Sequence, residues 1–518
     1  MTTKSLLFLL LIFILPFVSA QKNNQERIVF TIQINSNLKA SEFRVFLNWK
    51  DLSARIGKIE KQKIQIFDLK DNKEIFYTFI ADKKTEGVCF TIGYDKNESL
   101  KNSNESIRTF ELKYNPDLKI KVATDSIIPS SEKITITFLT EAKDFIASHG
   151  IKSWSETTAN TILDTYPNPA DMEIFSRGKW SYTNGYFLNA LSDCYLLNKN
   201  SKYSDYIKQW VDLFVNANGI IADSKYRFDD FELDNIAPGR LLLFLYQQTG
   251  DSRYAKAADQ LIDQLNHQPR TSDGGFWHKK VYTNQMWLDG IYMADVYLAQ
   301  YASIFNKPQY FDEAAKQMEI IYKHTYDQRT GLLFHGWDES KNKIWADSLT
   351  GASPEIWGRA LGWYFMALVD GLDYFPDNHP ERQKLLQIFK NLASNLVKYQ
   401  DTTSGLWYQI VNKGTSPGNW FETSCSAMFA YALAKGVQRG YLGKGYLQKA
   451  KKAFNGLIDN EVFFDDQGKI YINGTVKVGT LSFRASRGDY DYYIGVDRRI
   501  NDFKGVAAFL YLSLILNK

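Results

Sequence analysis

Residues 241–262 read LLLFLYQQTGDSRYAKAADQLI, which contains two helical segments of different character. The first, LLLFL at 241–245, is apolar all round, as is typical of a helix buried on every side. The second, from Tyr254 to Ile262, repeats its apolar side chains with a helical period, which predicts one face in the core and one in solvent. These two segments therefore predict a buried helix followed by a half-exposed one.

The same alternation continues along the chain after Thr140. We predict about twelve helices in pairs, the second of each pair apolar nearly all round, as in MFAYA at 428–432. Their predicted starts lie near Thr157, Asn184, Lys202, Asp234, Asp251, Trp287, Gln309, Ile356, Pro380, Phe421, Gly445 and Lys504. Six buried helices alternating with six half-exposed ones predict a mainly α fold, a closed double ring or (α/α)6 barrel.

Long connections precede several of the predicted buried helices, notably 267–286, 328–355 and 463–503. Loops of this length inside a compact domain are usually functional. All of them open at the N-terminal ends of the buried helices. We therefore expect one face of the barrel to hold the functional site.

The chain from about residue 27 to 140 has a different period. Short β-rich segments alternate with polar turns, at 28–34, 63–67, 75–80, 88–94, 107–114 and 133–138. Such spacing predicts a β-sandwich-like domain. It contains no catalytic acid pair or metal pattern, so we interpret it as an accessory domain, either structural or carbohydrate-binding.

The first twenty residues have the pattern of an export signal. Lys4 is followed by an apolar run from Leu6 to Val18 and by the small-residue site VSA at 18–20. The run is too short for a transmembrane helix, and Gln21 is not a lipid-anchored cysteine. The predicted organisation is a signal peptide at 1–20, the β-sandwich-like domain at 21–140 and the barrel at 141–518, in a protein exported to the periplasm or secreted.

The composition indicates which classes of partner and cofactor the protein is not expected to bind. The net charge is only +4 over 518 residues, so the sequence lacks the strong positive charge that is typical of nucleic-acid-binding proteins. Cys89, Cys194 and Cys425 are too few for a disulfide framework. The six histidines form no HExxH motif and no Cys/His cluster, so we predict neither a metal site nor a cofactor. No membrane anchor is indicated, and the sequence does not indicate an oligomeric state.

Two acidic residues stand at the predicted mouth of the barrel. Asp234 occurs in FELDN and Asp289 in WLDG, each at the predicted start of a buried helix. A single Asp in that position is usually a helix cap. Capping does not require the Trp and Arg residues that accompany these two, so the recurrence favours a role in chemistry for both.

Other polar and aromatic residues cluster at the same predicted mouth. The candidates for substrate binding are Tyr182, His278, Lys279, Trp287, His335, Trp357, Arg359 and Trp363. Arg359 and Lys279 are suited to binding a carboxylate, Arg359 through two parallel hydrogen bonds. The three tryptophans either stack on a sugar ring or belong to the core.

These motifs together resemble glycoside hydrolase family 105, the unsaturated rhamnogalacturonyl hydrolases, over residues 150–518. The segments that carry the resemblance are LDN at 233–235, GGFWHK at 274–279, QMWLDGIYMA at 285–294, FHGW at 334–337, WGRALGW at 357–363 and KGV at 504–506. The N-terminal strands lie outside the resemblance, so it says nothing about their role.

The resemblance implies an (α/α)6 barrel without a metal, acting on the C4=C5 double bond that a polysaccharide lyase leaves on a terminal uronic acid. Asp289 matches the catalytic Asp of the family, which would protonate C4 and activate a water that adds at C5. The hemiketal would then open and release the neighbouring sugar. Asp234 matches the second conserved acid. The implied substrates are unsaturated acidic oligosaccharides, with rhamnose next to the uronic acid.

Three alternatives remain open from the sequence. The first keeps the chemistry but changes the substrate to ulvan- or glycosaminoglycan-derived oligosaccharides, as in an unsaturated glucuronyl hydrolase. The second is a polysaccharide lyase on the same barrel. The third is a catalytically silent sugar-binding barrel, against which the intact Asp234 and Asp289 argue.

Overall fold

The computed structural model describes residues 8–10, 27–35, 42–48, 64–68, 73–75, 77–81, 86–93, 105–114, 134–172, 178–222, 226–482 and 487–518. The chain divides into two compact units. The first comprises Met1–Phe145, Phe463–Tyr471 and Asp497–Ile500, and the second comprises Ile146–Val462, Ile472–Val496 and Asn501–Lys518. The division into domains at residues 20 and 140 stays a prediction.

Strands dominate the first unit. The strands of the described chain are β1 (Phe8–Leu10), β2 (Arg27–Asn35), β3 (Glu42–Asn48), β4 (Ile64–Asp68), β5 (Lys73–Ile75), β6 (Tyr77–Ala81), β7 (Glu86–Gly93), β8 (Glu105–Tyr114), β9 (Ile134–Glu141), β10 (Gln285–Trp287), β11 (Tyr326–Asp327), β12 (Leu332–Leu333), β13 (Gly336–Asp338), β14 (Val462–Phe464), β15 (Ile470–Ile472), β16 (Thr475–Val476) and β17 (Arg498–Arg499). Eleven of these strands build a four-stranded sheet of order β1-β3-β7-β6 and a seven-stranded sheet of order β15-β14-β9-β2-β8-β4-β5, and the other six form the two-stranded sheets β10-β13, β11-β12 and β16-β17.

The strand predictions match β2 and β4 to β9, with β5 and β6 merged into one segment, but miss β1, β3, β14 and β15. The sequence of β3, EFRVFLN, alternates polar and apolar side chains from Glu42 to Val45 and continues with the apolar residues Phe46 and Leu47, a signal sufficient to find it. The packing of the two sheets as a sandwich stays a prediction. Within the proposed export signal, Phe8–Leu10 is a strand that pairs with β3. The rest of residues 1–20 lies outside the described ranges, so the signal also stays a prediction.

Helices make up most of the second unit. The helices of the described chain are α1 (Ala142–His149), α2 (Trp154–Thr165), α3 (Tyr182–Asn198), α4 (Ser201–Asp212), α5 (Gly239–Thr249), α6 (Ser252–Asn266), α7 (Leu288–Phe305), α8 (Gln309–Thr325), α9 (Gly358–Gly371), α10 (Arg382–Leu396), α11 (Thr423–Gln438), α12 (Gly445–Glu461), α13 (Tyr490–Ile494) and α14 (Phe503–Ile515). Within the described ranges, none of them has both the length and the apolar composition needed to cross a membrane.

Six of these helices form a closed ring. Helix α3 contacts α5, α5 contacts α7, and the contacts continue from α7 to α9, from α9 to α11, from α11 to α14 and from α14 back to α3. Every residue of α9 is buried, as the apolar pattern predicts. Helices α9 and α11 approach closely because Gly362 has no side chain: a Cβ there would lie 2.7 Å from the sulfur of Met428. The ring, with a second helix packed on each member, is consistent with the predicted α/α barrel.

The predicted helix starts agree with the structure within three residues, except at the fourth helix. The prediction near Asp234 is wrong, because α5 begins at Gly239 and Asp234 lies in a separate 3-10 turn, Leu233–Asn235. Pro238 explains the difference. A proline disfavours helical geometry in the residue before it, yet fits the start of a helix itself. Asp234 is therefore not a cap of α5.

Asp295, in the middle of α7, is an unusual core residue. It is fully buried, and neither oxygen of its carboxyl group has a hydrogen-bond partner within the described part of the chain. Burial raises the pKa of Asp295 well above its usual range, because water no longer stabilises the charged form. The folded protein therefore favours the protonated acid.

We expect Asp295→Asn to stabilise the protein at neutral pH by on the order of 1 kcal/mol. The pKa of Asp295 is higher in the folded state than its unfolded value of about 3.9. The contribution of the wild-type acid to the free energy of unfolding is therefore fully present below about pH 3.9, and it is lost as the pH rises through the folded-state pKa. Asn cannot ionise. Denaturant unfolding should show a higher free energy of unfolding for the variant than for the wild type at pH 7.5, and a smaller difference at pH 4.5. An equal difference at both pH values would contradict this account.

Candidate active site

A short β-ladder joins the two loops that carry the main candidate residues. Strand β10 pairs antiparallel with β13, with Trp287 opposite Gly336. Directly after β10, the Leu288 N–H donates to the His335 carbonyl at 3.0 Å. Because α7 begins at Leu288, the ladder fixes the loop of His335 against the first turn of that helix, where Asp289 lies.

Asp289 and His335 are in direct contact. His335 Nε2 lies 3.1 Å from Asp289 Oδ2, and its other ring nitrogen, Nδ1, lies 2.6 Å from the hydroxyl of Tyr493. His335 is fully buried, while 15% of the Asp289 side chain is exposed. Both ring nitrogens of His335 thus contact the protein, and the accessible end of the group is the Asp289 carboxyl. The predicted contact of His335 with substrate stays a prediction.

Asp234 belongs to a second charged group. Lys279 Nζ lies 2.7 Å from Asp234 Oδ2 and also forms a close ion pair with Glu232. His278 Nε2 is 3.6 Å from Asp234 Oδ1. The Leu233 N–H donates to the His278 carbonyl at 3.1 Å, which ties the two segments together through the backbone. Lys279, predicted to bind a substrate carboxylate, is shared here between two carboxylates of the protein.

Burial and charge set the ionisation of this second group. Burial alone would raise the pKa of Asp234, but the Lys279 ammonium and His278 outweigh it and hold the pKa below its usual range. Burial lowers the pKa of His278 to about 4, against the opposing effect of Asp234. At neutral pH Asp234 is therefore a carboxylate and His278 is uncharged.

Arg359 is buried with only part of its guanidinium occupied. Its Nε donates to Ser424 Oγ at 2.9 Å, and its Nη2 donates to the Val476 carbonyl and lies 3.5 Å from Glu422 Oε1. Glu422 is itself fixed as the N-cap of α11, where it accepts from the N–H groups of Ser424 and Cys425. Among the described residues, Arg359 Nη1 has no hydrogen-bond partner. An anchored guanidinium with an unused donor is suited to an anionic ligand.

The three candidate tryptophans are packed into the protein. Trp287 stacks on His278 and on Tyr282, each with ring centres 4.7 Å apart. Trp363 lies among aromatic rings in the interior of the barrel, 4.6 Å from Tyr186. The exposed fractions of Trp287, Trp357 and Trp363 are 5%, 1% and 1%. All three side chains therefore make core contacts, which the sequence left open as the alternative to stacking on a sugar ring.

Tyr182 stands at the start of α3, close to the charged residues. Burial raises the pKa of its phenol above the usual range, and the negative charge of Asp234 adds to the effect. Arg359 and Asp289 also act on it electrostatically. Tyr182 therefore lies within electrostatic range of both acids and of Arg359, and its predicted role in substrate binding stays a prediction.

Some residues of the site were not assigned a role from the sequence. These are Glu232, Tyr282, Gln409, Glu422 and Tyr493. Glu422 follows the Trp420–Phe421 segment at a predicted helix start, and Tyr493 closes the aromatic run YDYY at 490–493 in a long connection. Those positions mark the two residues as candidates for the site, but the sequence does not show that Glu422 pairs with Arg359 or that Tyr493 pairs with His335. Among the described residues, no group of three or more His, Cys, Asp or Glu is arranged to hold a metal ion.

Known proteins resemble this chain over the helical part. The sequence profile of Glycosyl Hydrolase Family 88 matches residues 154–516. The structure of a glycoside hydrolase from family 105 of C. acetobutylicum ATCC 824 is 36% identical, with a TM-score of 0.67, over 71% of this chain and 99% of that one.

Two curated relatives add to the comparison. Protein Atu3128 of Agrobacterium fabrum is 35% identical over 218 residues, which are 41% of this chain and 92% of the relative. The unsaturated rhamnogalacturonyl hydrolase YesR of Bacillus subtilis is 26% identical over 288 residues, 54% of this chain and 77% of the relative. The family profile and the match to the family 105 structure show that the chain belongs to the glycoside hydrolases of families 88 and 105.

Proposed function

We propose that this protein removes a terminal 4,5-unsaturated uronic acid from short acidic oligosaccharides by adding water to the C4=C5 double bond. The observation that carries the proposal is the Asp289 carboxyl, partly exposed and held by His335 at the start of a buried helix. The similarity to YesR, an unsaturated rhamnogalacturonyl hydrolase, favours rhamnose as the neighbouring sugar.

In the proposed reaction Asp289 acts first as a general acid and then as a general base. It gives its proton to C4, and the positive charge that develops at C5 is shared with the ring oxygen. A water molecule then adds at C5 while Asp289 takes back a proton. The resulting hemiketal opens and the neighbouring sugar leaves. Ordinary glycosidases instead divide this work between two carboxyl groups and act at the anomeric carbon.

Asp234 has a supporting role in this scheme. Its lowered pKa makes it a carboxylate at neutral pH, so it is not the proton donor. The fixed negative charge, with Lys279 beside it, suits a residue that orients sugar hydroxyl groups or the incoming water. Asp289 is then the only one of the two acids that transfers a proton to carbon.

Arg359 is the proposed partner of the uronate carboxylate, through its unoccupied Nη1. We expect Arg359→Lys to retain the charge next to Glu422 but to lose the forked geometry. A hydrogen bond to a charged group contributes roughly 1.5–3 kcal/mol, so kcat/KM for an unsaturated uronide should fall roughly 10- to 150-fold. The measurement compares the free acid with its methyl ester, in the wild type and in the variant.

The methyl ester lacks the carboxylate charge, so it distinguishes a role of Arg359 in binding that carboxylate from a purely structural role. If Arg359 holds the carboxylate, the wild type prefers the free acid and the variant loses most of that preference. A variant that is slower on both compounds by the same factor would instead assign Arg359 a structural role as the partner of Glu422. Circular dichroism on both proteins checks that the buried substitution has not unfolded the barrel.

The substrate class is tested with lyase-generated oligosaccharides from rhamnogalacturonan, ulvan and glycosaminoglycans. The double bond absorbs ultraviolet light, so the proposed reaction removes absorbance, and chromatography identifies the released sugar. Fastest loss with rhamnogalacturonan products supports the proposal. Fastest loss with glycosaminoglycan or ulvan products supports an unsaturated glucuronyl hydrolase. A gain of absorbance on intact polysaccharide indicates a lyase, and binding without reaction indicates a silent barrel.

We also propose that the enzyme works outside the cytoplasm, downstream of a lyase that supplies its substrates. The support is the pattern of residues 1–20, with Lys4, the apolar run and the VSA site. N-terminal sequencing of the protein recovered from the periplasm or medium tests it, since cleavage should leave Gln21 as the first residue.

A further inference from the structure

A buried tyrosine stands behind the proposed catalytic acid. Tyr493 and His335 are both fully buried, and they lead to the partly exposed Asp289 through contacts of 2.6 Å and 3.1 Å. Tyr493 is 158 residues away from His335 in sequence and reaches it from the short helix α13. Within the described residues the Tyr493 hydroxyl bonds His335, and no hydrogen bond joins it to Asp289, so its hydrogen-bonding effect on Asp289 passes through the imidazole.

Contacts around Tyr493 hold its ring in one place. The side-chain amide of Gln409 donates to the Tyr493 carbonyl at 3.1 Å, and the Trp357 indole N–H donates to Gln409 Oε1, also at 3.1 Å. The Trp357 ring stacks on Tyr493 with centres 5.6 Å apart, and it lies 4.8 Å from the His335 ring. Trp357 therefore packs against both rings, and both are buried from solvent.

The direction of the hydrogen bond follows from its surroundings. Burial, with negative neighbours that include Asp289, raises the pKa of Tyr493 well above its usual range, so the phenol keeps its proton. Within the described part of the chain, His335 Nδ1 is the one acceptor that this hydroxyl reaches. A buried O–H without an acceptor is unfavourable, so the phenol donates and Nδ1 accepts. The proton of the neutral imidazole is then on Nε2, which faces Asp289.

We propose that Tyr493 is a positioning residue: it selects the Nε2–H tautomer of His335, and the imidazole N–H then holds Oδ2 of Asp289. The inference rests on the proposed function and adds to it a choice between two oxygens. Because Oδ2 already accepts a hydrogen bond, the transferable proton of Asp289 is carried by Oδ1.

The chemistry balances with Oδ1 as the working atom. The π electron pair of C4=C5 forms the new C4–H bond with the Oδ1 proton and leaves the positive charge at C5. The oxygen of water forms the C5–O bond, and the proton that it loses returns to Oδ1. Between the two steps Asp289 is a carboxylate, and the His335 N–H stabilises it through a charge-assisted hydrogen bond. With the other tautomer, a nitrogen lone pair would face that carboxylate.

Tyr493→Phe tests the proposal, because it removes only the hydroxyl and keeps the ring on Trp357. We expect kcat to fall at least about tenfold, by analogy with catalytic histidines that lose their orienting partner, while KM changes little. The matched control is Tyr364→Phe, which removes another buried phenol, one that donates to the Met318 carbonyl in α8. This control should keep wild-type kinetics.

Nitrogen NMR of the histidine side chains gives a readout that a merely structural role would not move. The wild-type protein should show His335 protonated at Nε2 alone, with the signal assigned by its loss in His335→Gln, and Tyr493→Phe should change that pattern. An Nδ1–H tautomer in the wild type, or a Tyr493→Phe enzyme within twofold of wild-type kcat, overturns the proposal. The spectrum requires no turnover, so it is decided separately from the proposed function.

Discussion

Asp289→Asn should fold normally and lose about 10²- to 10⁴-fold in kcat, the range that general acid–base groups typically contribute. Asn has the shape of Asp, and its amide oxygen can still accept the His335 N–H that holds Asp289 at 3.1 Å. The amide cannot deliver a proton to carbon or take one from water. Because the proposed reaction uses this one carboxyl for both transfers, the loss should lie towards the upper end of the range.

Helix α7 offers a matched control. Asp295→Asn removes another carboxyl group from the same helix, at a fully buried position away from the mouth. That variant should keep wild-type kcat. The comparison uses initial rates of absorbance loss, with circular dichroism and denaturant unfolding of both proteins. A folded Asp289→Asn enzyme with half of wild-type turnover would remove Asp289 from its proposed role, whatever the substrate proves to be.

Periodicity was sufficient to predict the helical architecture. The buried helices are apolar all round because each is enclosed by ring neighbours and an outer helix, and that enclosure is visible in LLLFL at 241–245. The start of α5 was less predictable. The acidic Asp234 has the appearance of a helix cap, but Pro238 moves the helix start to Gly239 and leaves Asp234 free to pair with Lys279.

The sequence was sufficient to select candidate residues for the site, but not to identify their partners. Asp289 and Arg359 could be found because each sits beside Trp and Gly at a helix start. That Arg359 is held by Glu422, or His335 by Tyr493, depends on contacts between segments 63 and 158 residues apart. No local pattern encodes such pairs. The same holds for burial: no local pattern shows that Trp363 packs against Tyr186 with only 1% of its side chain exposed.

The second large effect expected is a choice between substrates. The enzyme should cleave an unsaturated uronide and leave the saturated counterpart intact, by a rate ratio of at least about 10³, since no catalysed route exists for the latter. Both compounds carry the carboxylate that Arg359 is proposed to hold, so binding alone does not separate them. The saturated sugar has no alkene carbon for Asp289 to protonate, and it should bind as a competitive inhibitor.

Isotope labelling then decides which bond the water attacks. In labelled water, hydration places solvent oxygen on C5 of the released uronic acid, because the hemiketal forms there before the sugar leaves. Direct displacement would place it on the anomeric carbon. Mass spectrometric fragmentation of the product, quenched early and compared with product exposed to labelled water after the reaction, separates the two positions. Label confined to the anomeric carbon, or comparable cleavage of the saturated compound, would return Asp234 and Asp289 to a conventional two-carboxylate scheme. That scheme needs one acid to stay protonated while the other attacks, and the ion pair of Asp234 with Lys279 would make Asp234 the ionised partner of the two.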